Sequence, residues 1–432
     1  MKGLVATLSQ GGQDELNYGA GPLGPLLFQD DLIHGTNGIR EARQANICIN
    51  RVVKQLNLRL HKDKTSCIIL GTKKQRQDIE ADLRTEPLMC GDIQVKLKNQ
   101  FKWLGQILSS DDLSDSVRAT ISEREGTIRG ASLEIAQVIN DWRSQAVGGM
   151  ETAILLWEAC CVPSLLHGAG TWTNISKATE TKLNQTQNWF IRLVLQIGPG
   201  APLPALSWDF MVLDMVLRIW IEKLMLVLHI SMLEDEAIAK QVYKEQIRNH
   251  WPGLAQETKI ICQKLNIQDV NVTQMSRTEY RKVVLAACHK YNEDKLRSQA
   301  KGKCERIRDE DYGKKEYTLN SNIHKVRQRF RSRFGLLPFA GNYSKDQRFS
   351  RSDWLCKCKE AREEESHLTS GRCAVYGDLT MKYSNFTDDD NLVQFFAEVL
   401  ARRDQLDLIT SGSGGDTTDG ANPVPNVQDK PV

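Results

Sequence analysis

Asp30 and Asp31 stand side by side between two apolar runs, Pro25-Leu26-Leu27-Phe28 and Leu32-Ile33-His34, the second of which stops at Gly35. Short apolar runs joined by acidic turn residues predict a tight hairpin. At its tip both carboxylates can reach one pocket, where they repel unless a proton or a cation intervenes. Oxygen-only ligands with open positions for phosphate suit Mg2+, and two such ions ~4 Å apart drive in-line phosphoryl displacement. An Asp-Asp pair in a turn can equally be no more than solvated, so the case rests on the surrounding elements.

A second constellation is Cys356-Lys357-Cys358, His367 and Cys373, three thiols and an imidazole within eighteen residues. This set completes a tetrahedral shell for Zn2+, structural rather than catalytic. One residue between the first two cysteines is shorter than the usual two-residue knuckle and predicts a strained turn; buried free cysteines are the alternative. Bound metal would supply on the order of 10 kcal/mol to a segment with little core of its own. Just upstream, Lys325, Arg327, Arg329, Arg331 and Arg333 crowd together with Phe330 and Phe334 between them. Guanidinium groups gathered this way suit phosphates, and the rings offer faces to bases or to a core; an ordinary basic helix face is the plainer reading.

The elements that must hold these residues follow from periodicity. Ile39, Ala42, Ala45, Ile49, Val52, Val53 and Leu56 predict a helix directly after the hairpin. An extended stretch from Leu58 through Lys64-Thr65 leads to the apolar strand Ser66 to Leu70, then Ile93 to Leu97 alternates as a half-buried strand, and Phe101 to Leu108 folds as a hairpin around Gly105. Beyond Ser109 the chain turns helical: Val117, Ile121, Ile128, Ile135 and Ile139 lie on one face, and further helices are predicted over Thr152 to Leu166, Leu183 to Ile197 and Trp208 to Leu233. The last is apolar nearly all round, with Asp214, Arg218 and Glu222 along one edge, and needs a bundle around it. Leu392 to Leu400 is a short amphipathic helix, and the Gly-, Asp-, Pro- and Thr-rich residues 411–432 are expected to be disordered.

Composition bounds the function classes. A chain of 432 residues with 41% apolar residues and a net charge of +3 holds real cores. Its Lys and Arg bunch between Lys282 and Arg351. Eleven cysteines without an N-terminal signal imply a reduced, intracellular protein, in nucleus or cytoplasm. The most apolar stretch, Met211 to Met232, is broken by four charged residues and reads as a buried helix, not a membrane span.

Taken in order, Phe28-x-Asp30-Asp31, a helix, Lys64-Thr65 before an apolar strand, and Lys102-Trp103-Leu104-Gly105 resemble the second half of the palm of a reverse transcriptase, most closely those of non-LTR (LINE-type) retrotransposons. Pro163-x-Leu165-Leu166-x-Gly168 with Trp172 resembles the thumb side of the same polymerases, and the Cys, Cys, His, Cys order after a basic stretch resembles their C-terminal finger. The resemblance implies that Asp30 and Asp31 hold Mg2+, that Lys64 lies near the incoming deoxynucleotide, and that Trp103 and Gly105 support the primer grip. It implies RNA template and DNA primer as partners, and nucleotidyl transfer as the reaction of the complete enzyme. Lys64 is equally readable as a solvated strand-end lysine. The third metal-binding carboxylate and the template-holding fingers of that family find no place before Phe28, and no nuclease motif follows the finger. The chain alone is therefore expected to be a poor polymerase or none, with a nucleic-acid-binding remnant as the alternative.

The expected fold is α+β, mostly α: a truncated palm over 1–110, a helical thumb over 111–235, a charged helical connector over 236–322, a basic arm and Cys/His finger over 323–410, and the tail over 411–432.

Overall fold

The computed structural model describes residues 3–8, 26–28, 31–110, 113–141, 149–198, 200–267, 275–339, 342, 355–386 and 388–412. Among the described residues the short strands lie in the first part of the chain: β1 (Gly3–Leu8), β2 (Leu26–Phe28), β3 (Asp31–Thr36), β4 (Ser66–Ile69), β5 (Met89–Cys90), β6 (Ile93–Gln94), β7 (Lys96–Leu97), β8 (Gln100–Trp103) and β9 (Gln106–Ser109). Among them lie α1 (Ile39–Gln55) and α2 (Lys73–Thr85). Then follow α3 (Leu113–Asn140), α4 (Met150–Leu156), α5 (Val162–Leu165), α6 (Lys177–Leu195), α7 (Leu203–Asp209) and α8 (Met215–Met232). The chain continues through α9 (Ile238–Arg248), α10 (Leu254–Leu265), α11 (Arg277–Gln299), α12 (Ile323–Arg333), α13 (Glu365–Leu368), α14 (Gly377–Lys382) and α15 (Asp389–Gly412). The mostly helical α+β class is as expected.

The chain divides into two compact units, each built from three segments: Met1–Ile128, Pro163–Asn184 and Asp214–Tyr291 form the first, and Arg129–Val162, Gln185–Leu213 and Asn292–Val432 the second. The thumb segment read from the sequence is thus shared between them.

In the first unit a five-stranded sheet runs in the order β2-β3-β1-β4-β7. β2 and β3 pair antiparallel with Phe28 opposite Asp31, as the predicted hairpin requires; residues 29–30 lie outside the described residues. β1, unforeseen in a Gly-rich segment, pairs parallel with β3 and with β4. Leu32, Ala42, Cys67, Ile69, Ile79, Leu88, Cys90 and Val95 form the core between sheet and helices. Buried Asn46 ties α1 down, its Nδ2 donating to Met89 O at 3.2 Å and its carbonyl accepting from the Cys90 thiol at 3.4 Å.

Three expectations are corrected. α2 was missed because only Ile79 of its residues is buried and the rest reads as a charged linker; Thr72 and Gln75 cap it reciprocally. The strand read over Ile93 to Leu97 breaks at buried Val95, and β7 alone joins the sheet. The helix read over Trp208 to Leu233 is two helices: α7 ends at Asp209, and Asp214 is the N-cap of α8, accepting from Val216 N at 2.9 Å. In the second unit, residues Trp157–Cys161 between α4 and α5 widen into a π turn closed by Val162 N–H to Trp157 O. Pro163 follows, which lacks an amide hydrogen, and the wider turn accommodates it. Among the described residues no helix is long and apolar enough to cross a membrane.

α8 buries Lys223, whose side chain is 3% exposed and pairs with Glu257 of α10. Glu257 also accepts from Asn174 N at 2.7 Å, so one carboxylate serves a buried ammonium and a loop amide. Glu257→Gln should strand the ammonium and cost about 3 kcal/mol, whereas adding Lys223→Met to it should recover most of that loss. Urea denaturation of the three chains measures both; equal stability of the single and double variants would show that the pair is not what holds α10.

Candidate metal centre and nucleic-acid interface

Cys356, Cys358, His367 and Cys373 converge, with all four ligand atoms within 4.8 Å of one another. Cys356 Sγ lies 3.6 Å from Cys373 Sγ, and Cys358 Sγ 3.3 Å from His367 Nε2. A zinc–sulfur bond of about 2.3 Å puts tetrahedral sulfurs about 3.8 Å apart, so the arrangement fits Zn2+ with little adjustment. The short Cys-x-Cys spacing is accommodated by a knuckle in which Cys356 N donates to Ala361 O at 2.8 Å and Lys359 N to Cys356 O at 2.7 Å. The predicted strain falls on Lys359, a side-chain-bearing residue held at φ +66°. Burial pushes the Cys356 thiol up, while at Cys358 the upward push of burial is outweighed by amide donation from Glu360 and the thiol sits below its usual range.

The segment has more core than the sequence suggested. Leu337, Phe339, Leu368, Tyr376, Leu379, Leu392, Phe395, Phe396 and Val399 are buried together with Cys356 and Cys373. α15 packs its Leu392, Phe395, Phe396 and Val399 face into this cluster, and Arg402 clasps Asp378 of α14 at 2.6 and 2.8 Å. A metal held by these ligands would therefore order the same residues as the aromatic core.

The basic run lies on α12, and its side chains meet partners within the second unit; burial of Arg327, Phe330 and Phe334 corrects their part in its reading as a row facing phosphates. Arg327 is 3% exposed and donates to Val194 O at 2.8 and 3.0 Å and to Asn140 Oδ1. Arg331 donates to Gln196 O at 2.5 Å, so both cap the C-terminal carbonyls of α6, where the helix dipole is negative. Arg329 donates to Phe386 O at 2.7 Å, and Lys325 pairs with Asp390. Arg333 grips buried Asp209 through two nitrogens, at 2.8 and 3.1 Å, and reaches Glu310 at 2.7 Å; Tyr317 Oη donates to the same Asp209. Phe330 and Phe334 are core, Phe330 stacking on Phe210 at 5.5 Å, and present no face to a base.

Of the palm residues, Asp30 lies outside the described residues, Asp31 opens β3, and Lys64 stands exposed in the turn before buried Thr65. The strand on the other side of β3 is β1, Gly-Leu-Val-Ala-Thr-Leu, which supplies no carboxylate. Two acidic groups against two divalent ions leave such a site short of negative charge, and no catalytic step is assigned to Mg2+ here.

Trp103 and Gly105 do form a hairpin tip: β8 and β9 pair antiparallel, Trp103 opposite Gln106, with Leu104 at φ +45° and Gly105 at φ +76° as a two-residue turn. The structure docks this tip on the segment from Pro163 to Trp172. Arg124 of α3 donates to Gly105 O at 2.6 Å, Leu165 O at 3.0 Å and His167 O at 2.9 Å. Gln106 donates to His167 O at 2.5 Å and accepts from Trp172 Nε1 at 2.8 Å. Gly168, at φ +73°, has no room for a side chain, since a Cβ there would lie 2.3 Å from Gln106 Nε2. Arg124 and Gln106 were not singled out in the sequence; a lone Arg on a helix and a lone Gln in a strand carry no signal by themselves.

Two outcomes follow. The chain should purify with one equivalent of Zn2+, and chelation should destabilise the module that holds Cys356, Cys358, His367 and Cys373, with an apparent loss on the order of 10 kcal/mol. Lys359→Gly should keep the metal and gain about 1 kcal/mol by relieving the knuckle. Metal analysis with thermal melts in chelator checks this; a metal-free chain indifferent to chelator would sink the assignment. The second concerns pH. Burial alone would raise the Glu310 carboxyl, but bonds from Arg333 and Arg306 reverse this and hold it down to about 2. A depressed carboxyl contributes stability above its unfolded value and loses it as pH falls through the folded one. Stability should therefore drop by about 3 kcal/mol between roughly pH 5 and pH 2 through this group, and Glu310→Gln should start lower and fall less steeply. Denaturant melts of both chains across that range decide it.

No protein-family profile, curated protein or solved structure matches the chain.

Proposed function

We propose that this chain is the end-of-palm, thumb and finger portion of a LINE-type reverse transcriptase, and that by itself it binds nucleic acid without polymerising it. The observation that carries the reading is the docking of the Trp103-Leu104-Gly105 turn onto the Pro163 to Trp172 segment through Arg124 and Gln106. These two stretches resemble separate landmarks of one enzyme family and are about sixty residues apart in sequence. Chance likeness gives no reason for them to share one hydrogen-bonded cluster. The antiparallel pairing of β2 with β3, with Phe28 opposite Asp31, supports the same ancestry, since the likeness implies a strand-turn-strand unit there. The Cys/His centre, with Zn2+ bound, would stabilise the C-terminal module as a structural group.

Polymerase chemistry is left out of the proposal because β1 brings no acidic residue beside β3. Template RNA and primer DNA remain the ligands that the resemblance implies. The test is equilibrium binding of a labelled RNA–DNA primer-template, with a parallel extension assay in Mg2+ and deoxynucleotides. Affinity should fall linearly on logarithmic axes over roughly 50–200 mM salt, with no extension product. No binding even at the lowest salt overturns the reading, and extension abolished by Asp30→Ala replaces it with an active polymerase.

A further inference from the structure

A groove of about 450 Å³ opens in the first unit between α2 and the chain that leads from β7 into β8. Sequence periodicity missed α2, so nothing about this groove was visible in the sequence. Lys73, Arg76, Lys98, Asn99 and Ser110 line it, and among the described residues Glu80 is the carboxylate of its lining. Its floor is fixed: Ser110 is 7% exposed, its amide donates to Asn99 O at 2.9 Å, and its hydroxyl accepts from Arg76 Nη1 at 3.3 Å. Glu80 lies 3.9 Å from Arg84 on its own helix. Lys96, two residues before Lys98, is taken up by Asp63 at 2.8 Å. Lys73 and Lys98, by contrast, meet no carboxylate among the described residues.

Three cations gathered around a concave surface give it a positive potential among the described residues, which favours an anion entering it. A hydroxyl, a carboxamide and a guanidinium at the floor match the acceptor oxygens of a tetrahedral oxyanion. We propose that this groove is a phosphate-binding site that takes backbone phosphates of a single nucleic-acid strand, with Lys73 and Lys98 as the charge contacts and Arg76 and Ser110 as the floor. The choice of a nucleic acid as the source of phosphate rests on the function proposed above; the phosphate chemistry itself does not.

The double variant Lys73→Gln/Lys98→Gln leaves the Arg76–Ser110 floor intact, and Lys54→Gln/Lys74→Gln removes the same charge from exposed positions outside the groove. Both are compared with the unaltered full chain in binding labelled single-stranded RNA across a salt series. Each phosphate contact to a single strand contributes a slope of about 0.7, so the groove variant should lose about 1.4 from its salt slope and bind about tenfold more weakly, with the other variant close to the unaltered chain. In parallel, acetylation of Lys73 and Lys98 is followed by mass spectrometry with RNA or with inorganic triphosphate present, and either should slow it. RNA binding with an unchanged slope in the groove variant, or an equal loss in both variants, overturns the groove and leaves the nucleic-acid reading standing. No RNA binding but slowed acetylation in triphosphate keeps the groove, makes a free nucleotide its source of phosphate, and removes the nucleic-acid reading. Neither binding nor protection removes both.

Discussion

A guanidinium withdrawn from water must find acceptors for its donors, and each unit of this protein is organised around that requirement. In the first, Arg124 gathers three carbonyls, from Gly105, Leu165 and His167, that no local structure would bring together. In the second, Arg327 and Arg331 of α12 close the open carbonyls at the end of α6, and Arg333 is matched to Asp209. Burial pulls the Arg333 proton affinity down, but the bidentate Asp209 carboxylate more than reverses it, while burial of Asp209 pushes its own carboxyl up. Removing Arg327 would leave the Val194 carbonyl that it caps without those two hydrogen bonds, in a site where Arg327 itself is 3% exposed.

The Cys/His centre works beside a hydrophobic core. Its four ligands come from a knuckle, a one-turn helix and a loop, none of which is long enough to stand alone. The rings of Tyr376, Phe395 and Phe396 pack around the same cysteines. A metal there locks a module whose apolar interior is already present, which differs from a finger that has nothing but its metal.

Much of the first unit was legible because strand and helix periods are strong where one face is buried. The hairpin at Phe28 and Asp31, α1, the Trp103 to Gly105 turn, α3 and the metal ligands could all be placed from residue type and spacing. α2 could not, because one buried residue in thirteen makes no period. Nor could the break between α7 and α8, where Phe210, Val212 and Leu213 are apolar on either reading and Asp214 caps the second helix. The basic run misled for a related reason: charge counts in the sequence carry no record of burial, and Arg327 lies under 3% exposed surface.

What the sequence determined by itself is local: which stretches alternate, which repeat every three or four residues, and which four side chains have donor atoms fit for zinc. These follow from backbone period and side-chain chemistry, and need no knowledge of distant residues. The tertiary structure alone decided which cations are spent on the protein's own carbonyls and which remain open. Arg327 and Lys98 are both basic residues in polar surroundings of the chain, yet one caps a helix end 133 residues away and the other faces an open groove. Partnering of that kind depends on desolvation and on three-dimensional proximity, and both are properties of the packed chain.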